Sequence, residues 1–314
     1  MGCRKMIYTC TLNPAIDMFV QMKDFQPDVV NRSIYDEVQP NGKGVNISIM
    51  LKKLNEDSVA TGFLGGFSGK FIDDELLKMG ISTDFVRVRD NTRINVFLMS
   101  NQGEYKIVNS GPNISREKSK ELISKIKLLN PEDTLFVSGS LPQGLDGDIL
   151  FEIAKLSSLK HFNLVLDISH PILKELMSFK PYLIKPNDDE LQKLFPELNM
   201  SYEADIVKAG KSLIQDGCQN VLVSVGGDGA YFINSDEALY CKAPKGDVIN
   251  TAGSGDAMLA SFYESYINKV NTKESIKKAV AVGSSTAFKS GLSDLCDITE
   301  LMNKITVNDI SVTK

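Results

Sequence analysis

Apolar residues recur along this chain in two rhythms, one helical and one extended. Over residues 45–54 they fall at 45, 47, 49, 50, 51 and 54, with Ser48, Lys52 and Lys53 on the other side. That pattern predicts a partly buried helix opening just after a glycine pair. Strands are predicted over 6–11 and 59–64, the second running into a Gly65-Gly66 turn, and a helix over 71–79 ended by Gly80. After Pro131 the alternation becomes regular. Strands at 134–138, 164–167, 182–184 and 221–225 alternate with helices at 148–156, from 171, from 187 and at 203–215. The strands are short, apolar and β-branched, as expected of a parallel sheet covered on both faces. A hairpin is predicted at 230–233 and 238–241, and two helices, 253–267 and 273–289, close the fold.

Two stretches break this rhythm. Residues 16–38 and 92–108 lack helical periodicity and read as strand pairs, Phe19-Val20 with Ile34-Tyr35 and residues 94–99 with 105–108. No repeat or low-complexity linker divides the chain. The expected architecture is therefore a single α/β domain over residues 1–314, doubly wound, with a mostly parallel sheet, helices on both faces and a small β-sheet lid.

Composition narrows the function without naming it. The chain has 314 residues, 42% hydrophobic and 24% charged, which suits a soluble globular protein able to bury a core without disulfides or metals. The net charge of −5 gives no bulk affinity for nucleic acid or an anionic membrane, so an anionic substrate needs a local basic pocket. No stretch has the length or polarity of a membrane span or a secretory signal. The five cysteines, Cys3, Cys10, Cys218, Cys241 and Cys296, are scattered and form no C-x-x-C pair. With only His161 and His170 beside them, reduced thiols in a cytoplasmic protein are expected, not a zinc site.

Five segments carry candidate chemistry. Asn250-Thr251-Ala252-Gly253-Ser254-Gly255-Asp256 precedes an apolar helix, so free N–H groups and the positive dipole end face a guest, which an anion suits. Taken alone, Asp256 is also what a plain helix N-terminus would carry. Asn41-Gly42-Lys43-Gly44-Val45-Asn46 precedes another helix, and alone reads as a tight turn with a solvated lysine. Ser138-Gly139-Ser140 follows a strand, where open α/β sheets bind ligands. In Lys185-Pro186-Asn187-Asp188-Asp189-Glu190, Asn187 and Glu190 are spaced either for Mg²⁺ held through water or for a capping box. Ser224-Val225-Gly226-Gly227-Asp228-Gly229 is a glycine turn after a strand. A Walker A loop, a Rossmann fingerprint and a Ser/His/Asp set are all missing.

Together and in this order, these segments resemble the PfkB (ribokinase-like) family of carbohydrate kinases, over residues 6–295. Within it, Tyr8 to Asp17 is similar to the 1-phosphofructokinase branch and to its neighbour, tagatose-6-phosphate kinase, while Thr92 to Val96 and Gly283 to Phe288 are more similar to 1-phosphofructokinase. Asn41 in place of a usual glycine, and Ser254 where many of that branch have alanine, depart from it; Ser254 resembles the tagatose-6-phosphate kinase branch. The resemblance implies ATP and Mg²⁺, Asp256 as catalytic base, and an anion hole from Gly253, Ser254 and Gly255. It implies sugar contacts from Asp17, Gly42 and Asn46, and the substrate's phosphate on Lys43, Arg93 and Ser140. Lys185, Asn187 and Glu190 would serve ATP phosphates and Mg²⁺. Ser224, Gly226, Gly229, Gly283 and Ser284 would line the nucleotide site. Fructose 1-phosphate is the expected acceptor, with tagatose 6-phosphate next and a non-catalytic sugar-phosphate sensor as the rival class. The resemblance also implies a homodimer through the lid.

Overall fold

The structure, a computed structural model, describes residues 5–310; Cys3 lies outside that range. In chain order the first half holds β1 (Ile7–Thr11), β2 (Ala15–Gln21), β3 (Tyr35–Asn41), α1 (Lys43–Lys53), β4 (Val59–Gly65), α2 (Gly66–Lys78), β5 (Ser82–Val88), β6 (Arg93–Ser100), β7 (Gly103–Ile107), α3 (Arg116–Ile126), β8 (Thr134–Gly139) and α4 (Gly147–Lys160). Then follow β9 (Asn163–Ile168), α5 (Leu173–Leu176), β10 (Leu183–Ile184), α6 (Asp188–Leu194), α7 (Glu203–Gln215), β11 (Asn220–Ser224), β12 (Ala230–Asn234) and β13 (Ala238–Cys241). The chain closes with α8 (Ser254–Ile267), α9 (Thr272–Ala287), α10 (Ile298–Asn303) and β14 (Val307–Asp309).

Ten strands form one sheet in the order β14-β13-β12-β11-β10-β9-β8-β1-β4-β5. From β11 to β5 every pairing is parallel, while β12, β13 and β14 add antiparallel at one edge. Alternate residues of each inner strand feed two separate cores, as the pleat requires. Leu135 and Val137 of β8, with Val221 and Val223 of β11, join the core under α3, α4 and α7. Phe136 and Leu222 point the other way, into the core built with α1, α8 and α9. Strands buried on both faces need apolar residues at every position, which explains the continuous runs.

The two irregular stretches join into one four-stranded sheet in the order β3-β2-β6-β7. β2 pairs antiparallel with β3 and parallel with β6, and β6 pairs antiparallel with β7. β3 runs three residues beyond the expected stretch, so Asn41 stands opposite Ala15. Helix α2 starts at Gly66 instead of residue 71, because Ser68 is buried and donates its hydroxyl to the Thr92 carbonyl (2.7 Å). The sheet edge strand β5, helix α3 and the closing α10 and β14 lie outside the expected alternation. Only three residues of α3, Leu122, Ile123 and Ile126, are buried, so its apolar stripe is too narrow to stand out.

Candidate active site

The two glycine segments are built for close approach. Gly42 sits at φ 132°, and a side chain there would press within 2.7 Å of Thr11 and 3.2 Å of Pro14. Gly253 caps α8 at φ 77°, with Leu292 where a β-carbon would go. These turns bring the N-termini of α1 and α8 together, where Asn46 of α1 meets Asp256 of α8.

Asp256, in the first turn of α8, is 6% exposed and accepts a hydrogen bond from Asn46 Nδ2 of α1 (2.8 Å). Burial, and then the charge of Asp167, push its carboxyl up to about 6, against the lowering pull of Asn46, Lys43 and Lys185. Asp167, next to last in β9, has a wholly buried side chain, with Lys43 Nζ 2.7 Å from one oxygen and Lys185 Nζ 3.3 Å from the other. Burial alone would raise its carboxyl, but Lys185 and Lys43 outweigh that and hold it below the ordinary range. Lys185 is 4% exposed, and a side chain at Gly255 would stand 3.2 Å from its ammonium. Two lysines, two carboxylates and the open amides of α8 thus converge at the carboxyl ends of β9 and β10, where open α/β sheets hold ligands.

A second group adjoins this one through amides. Asn46 also donates to Asn41 Oδ1 (3.2 Å), and Asn41 Nδ2 donates to Asp17 Oδ2 (2.5 Å). Asp17, on lid strand β2, accepts from Asn95 of β6 at its other oxygen (2.8 Å). Burial raises the Asp17 carboxyl above its usual range although Asn95, Arg93 and Asn41 oppose it.

Lys43 and Arg93, expected together on one phosphate, are drawn to different acids. Lys43 is tied to Asp167, with Glu190 at 3.7 Å. Arg93 lies beside Asp17 and donates to the carbonyls of Asn13 (2.9 Å) and Asn109 (3.1 Å), leaving its buried Nε without a partner. Ser140 sits exposed in the loop after β8.

Asn187 and Glu190 form a capping box on α6: Asn187 Oδ1 accepts from Glu190 N (2.7 Å), and Glu190 Oε2 accepts from Asn187 N (3.0 Å). The other Glu190 oxygen accepts from Ser169. One partly exposed carboxylate, with a single lysine at 3.7 Å, could hold a hydrated Mg²⁺ beside bound phosphates but is too little for an all-protein metal cage. Asn187 is bridged to Ser224 at the end of β11. Gly226 opens a 3₁₀ turn with free space where a side chain would go, whereas Gly229 abuts the Cys241 carbonyl. Gly283 is buried in the contact between α9 and α8, against Met258 and the Ser254 carbonyl, which gives it a packing role; Ser284 beside it is half-buried.

Asp167 is the residue of this candidate site that sequence reasoning missed. Its signal was an acid at the carboxyl end of an otherwise apolar, doubly buried strand.

Residues 10–299 match the pfkB family of carbohydrate kinases. A D-tagatose-1-phosphate kinase from Bacillus licheniformis is 45% identical over 97% of this chain and 100% of its own length. A 1-phosphofructokinase from Borreliella burgdorferi is 37% identical over 97% of this chain and 99% of its own. In fold, phosphofructokinase-2 from Escherichia coli in complex with fructose-6-phosphate superposes with a TM-score of 0.87, covering 95% of this chain and 98% of that one at 23% identity. A family match across nearly the whole chain settles the class: the chain belongs to the pfkB family of carbohydrate kinases and is an ATP-dependent phosphotransferase.

Proposed function

We propose that the protein transfers the γ-phosphoryl group of ATP to a ketohexose 1-phosphate, with fructose 1-phosphate converted to fructose 1,6-bisphosphate as the leading reaction. The observation that carries this reading is Asp256, buried at the positive end of α8 and flanked by Lys43 and Lys185. Phosphoryl transfer needs an in-line hydroxyl, a group to take its proton and positive charge around the moving phosphoryl. Asp256 takes the proton from the sugar hydroxyl as the new O–P bond forms, and ADP leaves with the electron pair of the broken bond. Asn46 orients the carboxylate for this by its 2.8 Å hydrogen bond. The α8 amides, the unpartnered Ser254 hydroxyl and the two ammonium groups meet the phosphoryl oxygens. Mg²⁺, when bound with ATP, supplies further neutralisation of phosphate charge, and Glu190 and Asn187 are the residues we assign to it through water.

Asp17 and Asn46, with the Gly42 turn, take the sugar hydroxyls. Arg93, with Ser140, takes the existing phosphate, and Lys43 joins Lys185 at the reacting centre. Ser224, Gly226 and Gly229 line the nucleotide, with Gly283 and Ser284 behind them. We treat the whole chain as one kinase domain, and the ATP requirement favours the cytoplasm; among the described residues no helix is long and apolar enough to cross a membrane. The lid exposes Val30, Ile34, Tyr35, Tyr105, Ile107 and Val108, which favours a homodimer that covers them. Tagatose 1-phosphate is the second reading, favoured by the name of the 45%-identical relative.

Phosphorus NMR of a reaction with ATP and fructose 1-phosphate tests the proposal. A bisphosphate should appear in step with ADP. ADP with inorganic phosphate and no new sugar ester would refute it.

A further inference from the structure

We propose that Asn41 locks the sugar-facing carboxylate of Asp17 and the base-holding amide of Asn46 into one unit, and that this unit sets which ketohexose epimer is accepted. The inference rests on the kinase reading above and deepens it to a specificity-determining residue. Asn41 ends β3, one residue before the Gly42 turn, where the family resemblance implies glycine. Its side chain is fully engaged. Nδ2 donates to Asp17 Oδ2 (2.5 Å), and Oδ1 accepts from Asn46 Nδ2 (3.2 Å) and from the Gly42 N–H. Asn46 Nδ2 in turn reaches Asp256 Oδ2 at 2.8 Å. The amide orientations are forced, since each nitrogen faces only acceptors and the Asn41 oxygen faces only donors. The Asn95 amide, held at its oxygen by the Asn109 N–H (3.2 Å), fixes the other Asp17 oxygen.

The consequence is a carboxylate that cannot turn. A free carboxylate offers about four lone-pair positions and rotates to suit its donor. Asp17, 3% exposed and pinned from β3 and β6, has only its remaining lone pairs to offer, in fixed directions. A sugar hydroxyl of one configuration can meet them. Its epimer leaves a buried acceptor unpaired, which is what gives polar sites their discrimination. Asn41 itself lines a 530 Å³ pocket with Asn46, Gln39, Asn250 and Ala252, so its amide stands at the wall of the space the sugar would fill. Glycine at this position would free Asp17 Oδ2, the Gly42 N–H and one Asn46 proton together.

The test compares wild type, Asn41→Gly and the isosteric Asn41→Asp, using fructose 1-phosphate and tagatose 1-phosphate, which differ at one hydroxyl. In Asn41→Gly the ratio of kcat/KM between the epimers should shrink by roughly tenfold or more, with the KM for ATP unchanged. The acid limb of kcat should also move to higher pH, because a loosened Asn46 gives Asp256 a weaker hydrogen bond. The other groups facing Asp256, which are Asp167, Lys43 and Lys185, are untouched by the substitution. Asn41→Asp sets a carboxylate against Asp17 and should lose more activity than glycine does. If Asn41→Gly fails to fold, the epimer ratio of Asn41→Asp decides. An epimer ratio within about twofold of wild type in the folded variants, with an unmoved acid limb, overturns the inference. If wild type phosphorylates neither sugar, the substrate reading falls instead, and the Asn41 ratio is read on the best acceptor of a ketohexose phosphate panel and its epimer.

Discussion

A carboxylate buried beside another carboxylate is held in place at a cost, and Asp256 is in that position. Its carboxyl is pushed up to about 6 by burial and then by Asp167. A base must be ionised to act, so kcat should fall as pH drops through about 6. The same shift has a sign for stability. A carboxyl whose folded value lies above its unfolded one favours folding while protonated and loses that contribution as pH rises through the folded value. At neutral pH Asp256 therefore opposes folding. Asp256→Asn should lower kcat by roughly 10²–10⁴-fold and raise Tm by about 2–5 °C near pH 7.5. Kinetics and calorimetry on the one variant check both halves; a folded variant with near-normal kcat would remove Asp256 as base. Asp256, Asn46 and Lys43 were legible because each lies in the first turn of a helix that opens on a glycine. Asp167 was not, since Lys43 lies 124 residues away and Lys185 just beyond the next strand, and only the fold pairs them with it.

Helix α6 carries a choice that its own residues leave double. Asn187 and Glu190 complete a capping box, and the same carboxylate lies 3.7 Å from Lys43. Glu190→Gln separates the two uses. Glutamine also serves at the third position of a capping box, so stability should change by less than about 1 kcal/mol. A hard cation loses its charged oxygen, so the Mg²⁺ concentration for half-maximal rate should rise several-fold, by roughly the tenfold scale of such ligand losses. An unchanged Mg²⁺ titration would leave Glu190 with the cap alone. Element type was readable wherever burial was two-sided, as in β8 and β11, because every residue is then apolar. It was not readable for β5, whose first three residues, Ser82, Thr83 and Asp84, are polar, nor for α3, whose buried stripe is three residues wide.

The lid sheet and its connections carry a series of exposed apolar side chains. Phe25, Val29, Val30 and Ile34 stand out from the β2–β3 connection, and Tyr105, Ile107 and Val108 from β7 and just beyond. The dimer proposed above would cover such a surface with a second copy. Light scattering should give a dimer, and Ile34→Glu with Ile107→Glu should yield monomers; a wild-type monomer at working concentration would contradict this. That the two irregular stretches form a sheet was legible from their extended alternation. That β2 pairs in parallel with β6, carrying Asp17 to Asn95, was not, because parallel register leaves no hairpin signal. The central claim is that this site phosphorylates a ketohexose already bearing a phosphate. The most direct test is kcat/KM, under identical conditions, for fructose 1-phosphate, tagatose 1-phosphate, tagatose 6-phosphate, fructose 6-phosphate and free fructose. A ketohexose 1-phosphate should lead the series, with free fructose weaker by roughly the 10²-fold or more that a lost charged contact costs. Free fructose leading would contradict the account.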